Sequence, residues 1–135
     1  MADKLQFDLV SPEARVFSGE VDMVVVPGSE GDFGVLPGHA PFMSTIRTGT
    51  IDVHAENVVT RIFVYGGFAE VTPQGLTILA EETAELATLD AADIRNRLEA
   101  AHLRAKDAAD DHARETAEAE IVKLETMQAA MELAH

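Results

Sequence analysis

The sequence predicts an α+β, mainly β protein: an N-terminal antiparallel β-sandwich over residues 1–86, then a C-terminal α-helical hairpin over 87–135. Three observations predict it. Up to residue 85 the chain is a series of short runs rich in Val, Ile, Phe and Thr, separated by Gly, Pro and Asp signals. No helical pattern interrupts those runs, which excludes alternating βαβ units. From Asp90 onward Gly and Pro are absent and Ala, Glu, Arg and Leu dominate, a strong helical composition.

Each element has its own signal. Leu5 to Val10 alternates, with Leu5, Phe7 and Leu9 on one face, and Ser11-Pro12-Glu13 reads as a turn. Ala14 to Phe17 and Val21 to Val26 follow, with Ser18-Gly19 between them. Gly28 to Pro41 holds four glycines and two prolines. Glycine allows positive φ and proline fixes φ, so this segment is expected to be a shaped surface loop with short extended pieces. Phe33, Val35 and Leu36 would pin it to the core. Phe42 to Ile46, Thr50 to His54, Val58 to Tyr65, Phe68 to Val71 and Leu76 to Leu79 complete the strands, with Pro73-Gln74-Gly75 as a hairpin turn.

In the helical part, Thr88 or Asp90 can cap the first helix, and Asp90 and Asp93 suit its positive end. Leu89, Ile94, Leu98 and Ala101 form one apolar stripe; Ala117, Ile121, Leu124, Met127 and Met131 form another. Asp107, Asp110, Asp111 and His112 fall between the stripes, so two antiparallel helices joined near Ala109 to His112 are expected, one continuous helix being the alternative. Much of each stripe is alanine, which buries about one methyl per residue. The hairpin is therefore expected to dock weakly and to move; equal hydrogen-exchange protection in helices and sheet would count against that.

Composition narrows the function. The net charge is −14, with 4 basic and 13 acidic residues up to Glu85 and 6 basic and 11 acidic after it. Nucleic acid and anionic lipid are poor partners, because phosphate binding rests on clustered Lys and Arg. There is no cysteine, so no thiolate zinc site or thiol nucleophile. No apolar run approaches the length of about 20 residues that a membrane helix needs. The opening Met-Ala-Asp-Lys-Leu-Gln carries neither a secretory nor an Arg-rich transit pattern, so the chain is expected to work where it is made.

The candidate chemistries are weak. Gly28, Gly31 and Gly34 invite a phosphate-loop reading, but no Gly-Lys-Ser/Thr follows, and Glu30 and Asp32 put negative charge where an anion would sit. The five histidines, at 39, 54, 102, 112 and 135, lack metal spacing, so no metal or cofactor is expected. His39 suits a contact better than a base, since no carboxylate is placed to orient it. Ser18, Ser29 and Ser44 lack a nucleophile-elbow context. Glu81, Glu82 and Glu85 read as a solvated linker face near the domain junction. No catalytic constellation emerges, and the chain is not expected to be an enzyme.

Gly28-Ser-Glu-Gly-Asp-Phe-Gly-Val-Leu-Pro-Gly-His-Ala-Pro41 resembles the signature loop of the epsilon-subunit family of F-type ATP synthases, bacterial type. Val16-Phe17-Ser18-Gly19-Glu20-Val21 and Gly66-Gly67-Phe68-Ala69-Glu70-Val71 are similar to that family too, and so is the two-part layout. The resemblance implies a non-catalytic subunit of the central stalk, or rotor. Its sandwich would bind the gamma subunit and rest on the c-subunit ring, coupling ring rotation to ATP synthesis. Its helices would reach the alpha and beta subunits of the catalytic head. It implies a peripheral place on the cytoplasmic face of the bacterial inner membrane, without membrane insertion. The acidic and histidine positions near the ring map onto Asp32 and His39, with Glu30 and Phe42 beside them. Charge reversal at Asp32 is expected to weaken stalk–ring coupling; unchanged proton-driven synthesis by an Asp32→Lys enzyme would remove that idea.

Two departures stand out. Many bacterial members open the first helix with an ATP-binding pattern, Ile/Leu-Asp-x-x-Arg-Ala; here the run is Leu89-Asp90-Ala91-Ala92-Asp93-Ile94. A carboxylate at Asp93, the arginine position, repels a triphosphate, so calorimetry is expected to find no micromolar ATP complex. In the family the extended helices can block hydrolysis through basic residues. Here the second helix carries Arg114 and Lys123 against Glu115, Glu118, Glu120, Glu125 and Glu132, so inhibition is expected to be weak. A nucleotide-sensing regulator acting through the hairpin is the alternative reading, and Asp93 opposes it. A free-standing carbohydrate-binding sandwich is a third; it lacks the exposed aromatics such modules display, with no Trp and one Tyr in the chain.

Overall fold

The computed structural model describes residues 3–133. Its chain forms two compact units, one running to Glu85 and the other starting at Leu86. The first unit contains, among the described residues, eight strands: β1 (Leu5–Val10), β2 (Arg15–Val21), β3 (Met23–Gly28), β4 (Gly31–Val35), β5 (Phe42–Ile46), β6 (Gly49–Ala55), β7 (Val58–Thr72) and β8 (Gly75–Glu85).

The strands close into two layers because β7 and β8 belong to both. The first half of β7 pairs with β6, from Ala55↔Val58 to Gly49↔Val64. Its second half pairs with β5, from Ile46↔Gly67 to Phe42↔Val71. The change comes at Gly66-Gly67, where the ladder to β8 skips from Tyr65↔Glu82 to Gly67↔Ala80. The register is the same on both sides, so the two glycines, both at positive φ, turn the strand without ending it. A Cβ on Gly67 would lie 2.2 Å from the Leu79 carbonyl oxygen, so only glycine fits the corner. β2, β1, β8, β7 and β5 then make one side, and β4, β3 and β6, with the first half of β7 and the last residues of β8, the other.

Alternation along β1 puts Leu5, Phe7 and Leu9 inside, where they meet Val21, Val24, Val26, Val35, Ile51, Val53, Ile78 and their neighbours in one apolar cluster. The ladders are antiparallel, except that β1 pairs with β8 in parallel, Phe7↔Leu76 to Val10↔Leu79.

Several strand limits differ from the sequence reading. β2 runs straight through Ser18-Gly19, because both residues pair with β1 (Asp8↔Ser18, Phe7↔Gly19). The break falls instead at Asp22, whose carboxylate accepts hydrogen bonds from the Lys4 ammonium and, at 2.9 Å, from the Glu56 amide. Val58–Tyr65 and Phe68–Val71 are one strand that continues through Gly66-Gly67 in unchanged register. Glu81, Glu82 and Glu85 lie in β8 and not in a linker. The β6–β7 turn, Glu56-Asn57 with φ of 51° and 68°, is a two-residue hairpin turn whose right-handed twist matches the strands.

The second unit opens with a 3-10 turn (Leu86–Thr88), followed by α1 (Ala91–Lys106) and α2 (Asp111–Leu133). Asp90 caps α1, its side chain accepting from the Ala92 amide. The chain reverses over residues 107–110, and Asp110 starts α2 by accepting from the Ala113 amide at 2.8 Å. Ile94 and Ala101 on α1, and Ala117, Leu124, Met127 and Met131 on α2, are the buried apolar positions, three, four or seven residues apart. No helix among the described residues is long and apolar enough to cross a membrane.

Candidate functional site

The shaped segment resolves into a hairpin, a strand and a turn. β3 and β4 pair from Val24↔Val35 to Gly28↔Gly31, leaving Ser29-Glu30 as a two-residue tip. Gly28 is required there by space: a Cβ would stand 2.7 Å from the Gly31 carbonyl oxygen and 2.9 Å from the Phe33 ring. The tip is fastened to the end of β5. The Ser29 amide donates to the Thr45 carbonyl at 3.0 Å, and the Arg47 amide donates to the Pro27 carbonyl at 3.0 Å. The Thr45 hydroxyl donates to Ser29 Oγ at 2.9 Å. Arg47 adds its guanidinium: Nη1 donates to the Gly28 carbonyl at 2.6 Å, and Nη2 to the Asp32 carboxylate.

Beyond β4 the chain turns at Leu36-Pro37-Gly38-His39, closed by the His39 amide on the Leu36 carbonyl at 3.1 Å. Proline at the second place and Gly38 at φ 81° define a type II turn, which needs glycine at its third place. The His39 ring lies with Nδ1 2.6 Å from the Ala40 carbonyl oxygen, an acceptor, so Nδ1 donates there. The ring also lies 6.4 Å from that of Phe42. Phe42 in turn meets Phe33 edge-on at 5.1 Å. Leu36, Phe42 and Met43 remain exposed, forming an apolar border to this end. Beside it is a groove of about 380 Å³, walled by the Pro37–Pro41 turn, Lys4 to Gln6, and the β7–β8 turn.

The four candidate contact residues therefore fall into two pairs. Glu30 and Asp32 sit at or next to the hairpin tip, and His39 and Phe42 lie past the far end of β4. Asp32 and Val35 alone are about 10 Å apart along the strand. Phe33, next to Asp32 and against Phe42, links the pairs.

Arg47 is the residue that sequence reasoning missed. Its signal was available: the first 85 residues hold only Lys4, Arg15, Arg47 and Arg61 against 13 acids. Three of these four cations pair with an aspartate, Lys4 with Asp22, Arg47 with Asp32 and Arg61 with Asp52. The Lys4 ammonium and the Glu56 amide both hydrogen-bond the Asp22 carboxylate and hold its pKa below the ordinary carboxylate value, while the same bond raises Lys4.

Asp93 stands exposed at the arginine position, and Arg97 reaches across to Glu120 on α2 at 3.4 Å. Among the described residues no group of three His, Cys, Asp or Glu could hold a metal ion. His135 lies outside the described residues.

The family model for the ATP synthase Delta/Epsilon chain, beta-sandwich domain, matches residues 4–87. The ATP synthase epsilon chain of Maricaulis maris is 57% identical over 129 residues, covering 96% of this chain and 97% of the relative. That of Caulobacter vibrioides is 59% identical over 85 residues, which are 62% of this chain but 98% of the relative. A chain of that length has room for the sandwich unit and not for both. A chain in the cryo-EM structure of Euglena gracilis mitochondrial ATP synthase (OSCP, F1 and c-ring) superposes with TM-score 0.80 at 24% identity, covering 95% of this chain and 81% of that one, a likeness of fold. Sandwich, hairpin and relatives agree, and the chain belongs to the family of ATP synthase epsilon chains.

Proposed function

We propose that this chain is the non-catalytic central-stalk subunit of an F-type ATP synthase, coupling rotation of the c-ring through gamma to ATP synthesis. The observation that carries it is the epsilon-chain match along both units. The sandwich supports the reading physically. Strands that cross both layers make a stiff body, and one of its borders is a preorganised edge. Glu30 and Asp32 supply the acids of that edge, and His39 and Phe42 an imidazole and an exposed ring. Such an edge suits polar, partly basic loops of the ring, where complementary charge sets register and association rate. We place the subunit peripherally on the cytoplasmic face of the bacterial inner membrane. The hairpin would meet the alpha and beta subunits of the head.

Co-purification tests the reading. A tagged chain should bring down gamma and the c-ring from detergent-solubilised membranes. A chain that emerges without them, in an extract where the rest of the ATP synthase is intact, would overturn it.

A further inference from the structure

We propose that Arg47 is the positioning residue of this docking edge, and that Glu30, not Asp32, is the carboxylate presented to the partner. The proposal rests on the docking reading above and states how the edge works. Arg47 grips the β3–β4 hairpin at three places: the Pro27 carbonyl by its amide, and the Gly28 carbonyl and Asp32 carboxylate by its guanidinium. These points flank the Ser29-Glu30 tip, so the Arg47 guanidinium joins its two sides, adding to the Ser29–Thr45 bonds that fasten the tip. The planar guanidinium serves two acceptors from two nitrogens at once. A lysine ammonium is a point charge on a flexible stem and does not reproduce that fork.

The same grip divides the work of the two acids. Asp32 faces a cation of its own chain, which compensates its charge in place. Glu30 is exposed at the tip and makes no hydrogen bond or ion pair among the described residues. The uncompensated negative charge of the tip is thus at Glu30, two residues from the acidic position singled out by sequence. The partner it fits is a loop carrying Lys, Arg or amide donors. Asp32 acts through Arg47 on the shape of the tip.

The test measures association and dissociation of the full-length chain with ATP synthase stripped of this subunit, across ionic strength. Glu30→Gln should slow association by about two- to fivefold at low salt and flatten its salt dependence. Asp32→Asn combined with Arg47→Gln, which removes the pair without changing the net charge of the tip, should retain the wild-type salt slope. Arg47→Ala should dissociate roughly three- to tenfold faster, the scale of one or two charge-assisted bonds. Arg47→Lys should fail to restore the wild-type rate. Flattening by the Asp32→Asn, Arg47→Gln double variant to match Glu30→Gln, or wild-type behaviour of Arg47→Lys, would overturn the proposal. If Arg47→Ala does not fold, Arg47→Lys decides the positioning role and an unchanged salt slope in Glu30→Gln would still overturn the proposal. Wild-type binding by all the variants, with unchanged melting temperatures, would remove the docking reading itself.

Discussion

The sandwich and the hairpin hold themselves together in different ways. In the sandwich the buried side chains are large: Phe7, Leu9, Val24, Val26, Ile51 and Ile78 are fully enclosed. In the hairpin two of the six buried apolar positions are Ala101 and Ala117. The ion pairs follow the division only in part, since Arg97–Glu120 between the two helices spans 23 residues. Lys4–Asp22 and Arg47–Asp32 join residues 18 and 15 apart in sequence. On α2 the pairs Arg114–Asp111 and Lys123–Glu120 are three residues apart on one helix, and Arg97–Glu120 crosses from α1. The sandwich is specified by long-range fit, the hairpin largely by helix propensity and local charge. A precise edge for a partner belongs on the first kind of unit, because its parts are over-determined by the core. A relative whose whole length matches only 62% of this chain agrees with that division.

The largest way to break the comparison is at the core. Phe7→Ala removes a fully buried ring and should destabilise the sandwich by about 3–5 kcal/mol. On the hairpin, Ala101→Gly should cost about 1 kcal/mol, the helix penalty of glycine, as no large side chain is lost. Urea unfolding followed by circular dichroism of each variant checks both. Equal losses would mean that the hairpin is as tightly specified as the sandwich.

That difference also explains what could be read from the sequence. Period-two alternation at Leu5, Phe7 and Leu9, and the loss of Gly and Pro after residue 90, are local signals, and both units followed from them. Asp90 as a cap is local too. Gly66-Gly67 looked like a stop because composition shows the glycines but not the partner: the Leu79 carbonyl that demands Gly67 comes from the next strand. The parallel pairing of β1 with β8 joins residues nearly 70 positions apart, beyond the reach of any window. At the candidate site, the shaped loop over Gly28 to Pro41 was legible from its glycines and prolines, though Leu36, expected to pin it to the core, is exposed. The division of Glu30 from Asp32 was not, because Arg47 lies 15 residues beyond Asp32.

A smaller effect sharpens the long-range side of the comparison. The folded-state pKa of Asp22 is lowered by its bonds to Lys4 and the Glu56 amide. A lowered carboxylate contributes stability that is present above the unfolded value of about 3.9 and is lost as pH falls through the folded value. Lys4 is raised, so its share is present below about 10.4 and is lost as pH rises through its folded value. Asp22→Asn should therefore lower the melting temperature at pH 7, and the gap from wild type should close on acidification below the carboxylate range. Both groups are exposed, so the shift should be smaller than that of Ala101→Gly. A gap that stays constant from pH 7 to the acid limit would show that the carboxylate charge contributes nothing to the β6–β7 turn.

The smallest expected effect concerns the hairpin's influence on hydrolysis. A helix that blocks the catalytic head through basic residues needs cations free to change partners. On α2 both cations are engaged at home, Arg114 with Asp111 at 3.1 Å and Lys123 with Glu120 at 3.4 Å. Lys123 is also buried, so moving it to a new acid first costs the desolvated pair it leaves. Glu115, Glu118, Glu125 and Glu132 would repel an acidic segment along the same helix. Deleting residues 90–135 from the assembled enzyme should therefore leave ATP hydrolysis within about twofold, a change of less than 1 kcal/mol in barrier. Hydrolysis that rises tenfold or more would show that the hairpin inhibits by means other than those two cations. The hairpin would then hold a long-range contact of the kind that only the sandwich is assigned.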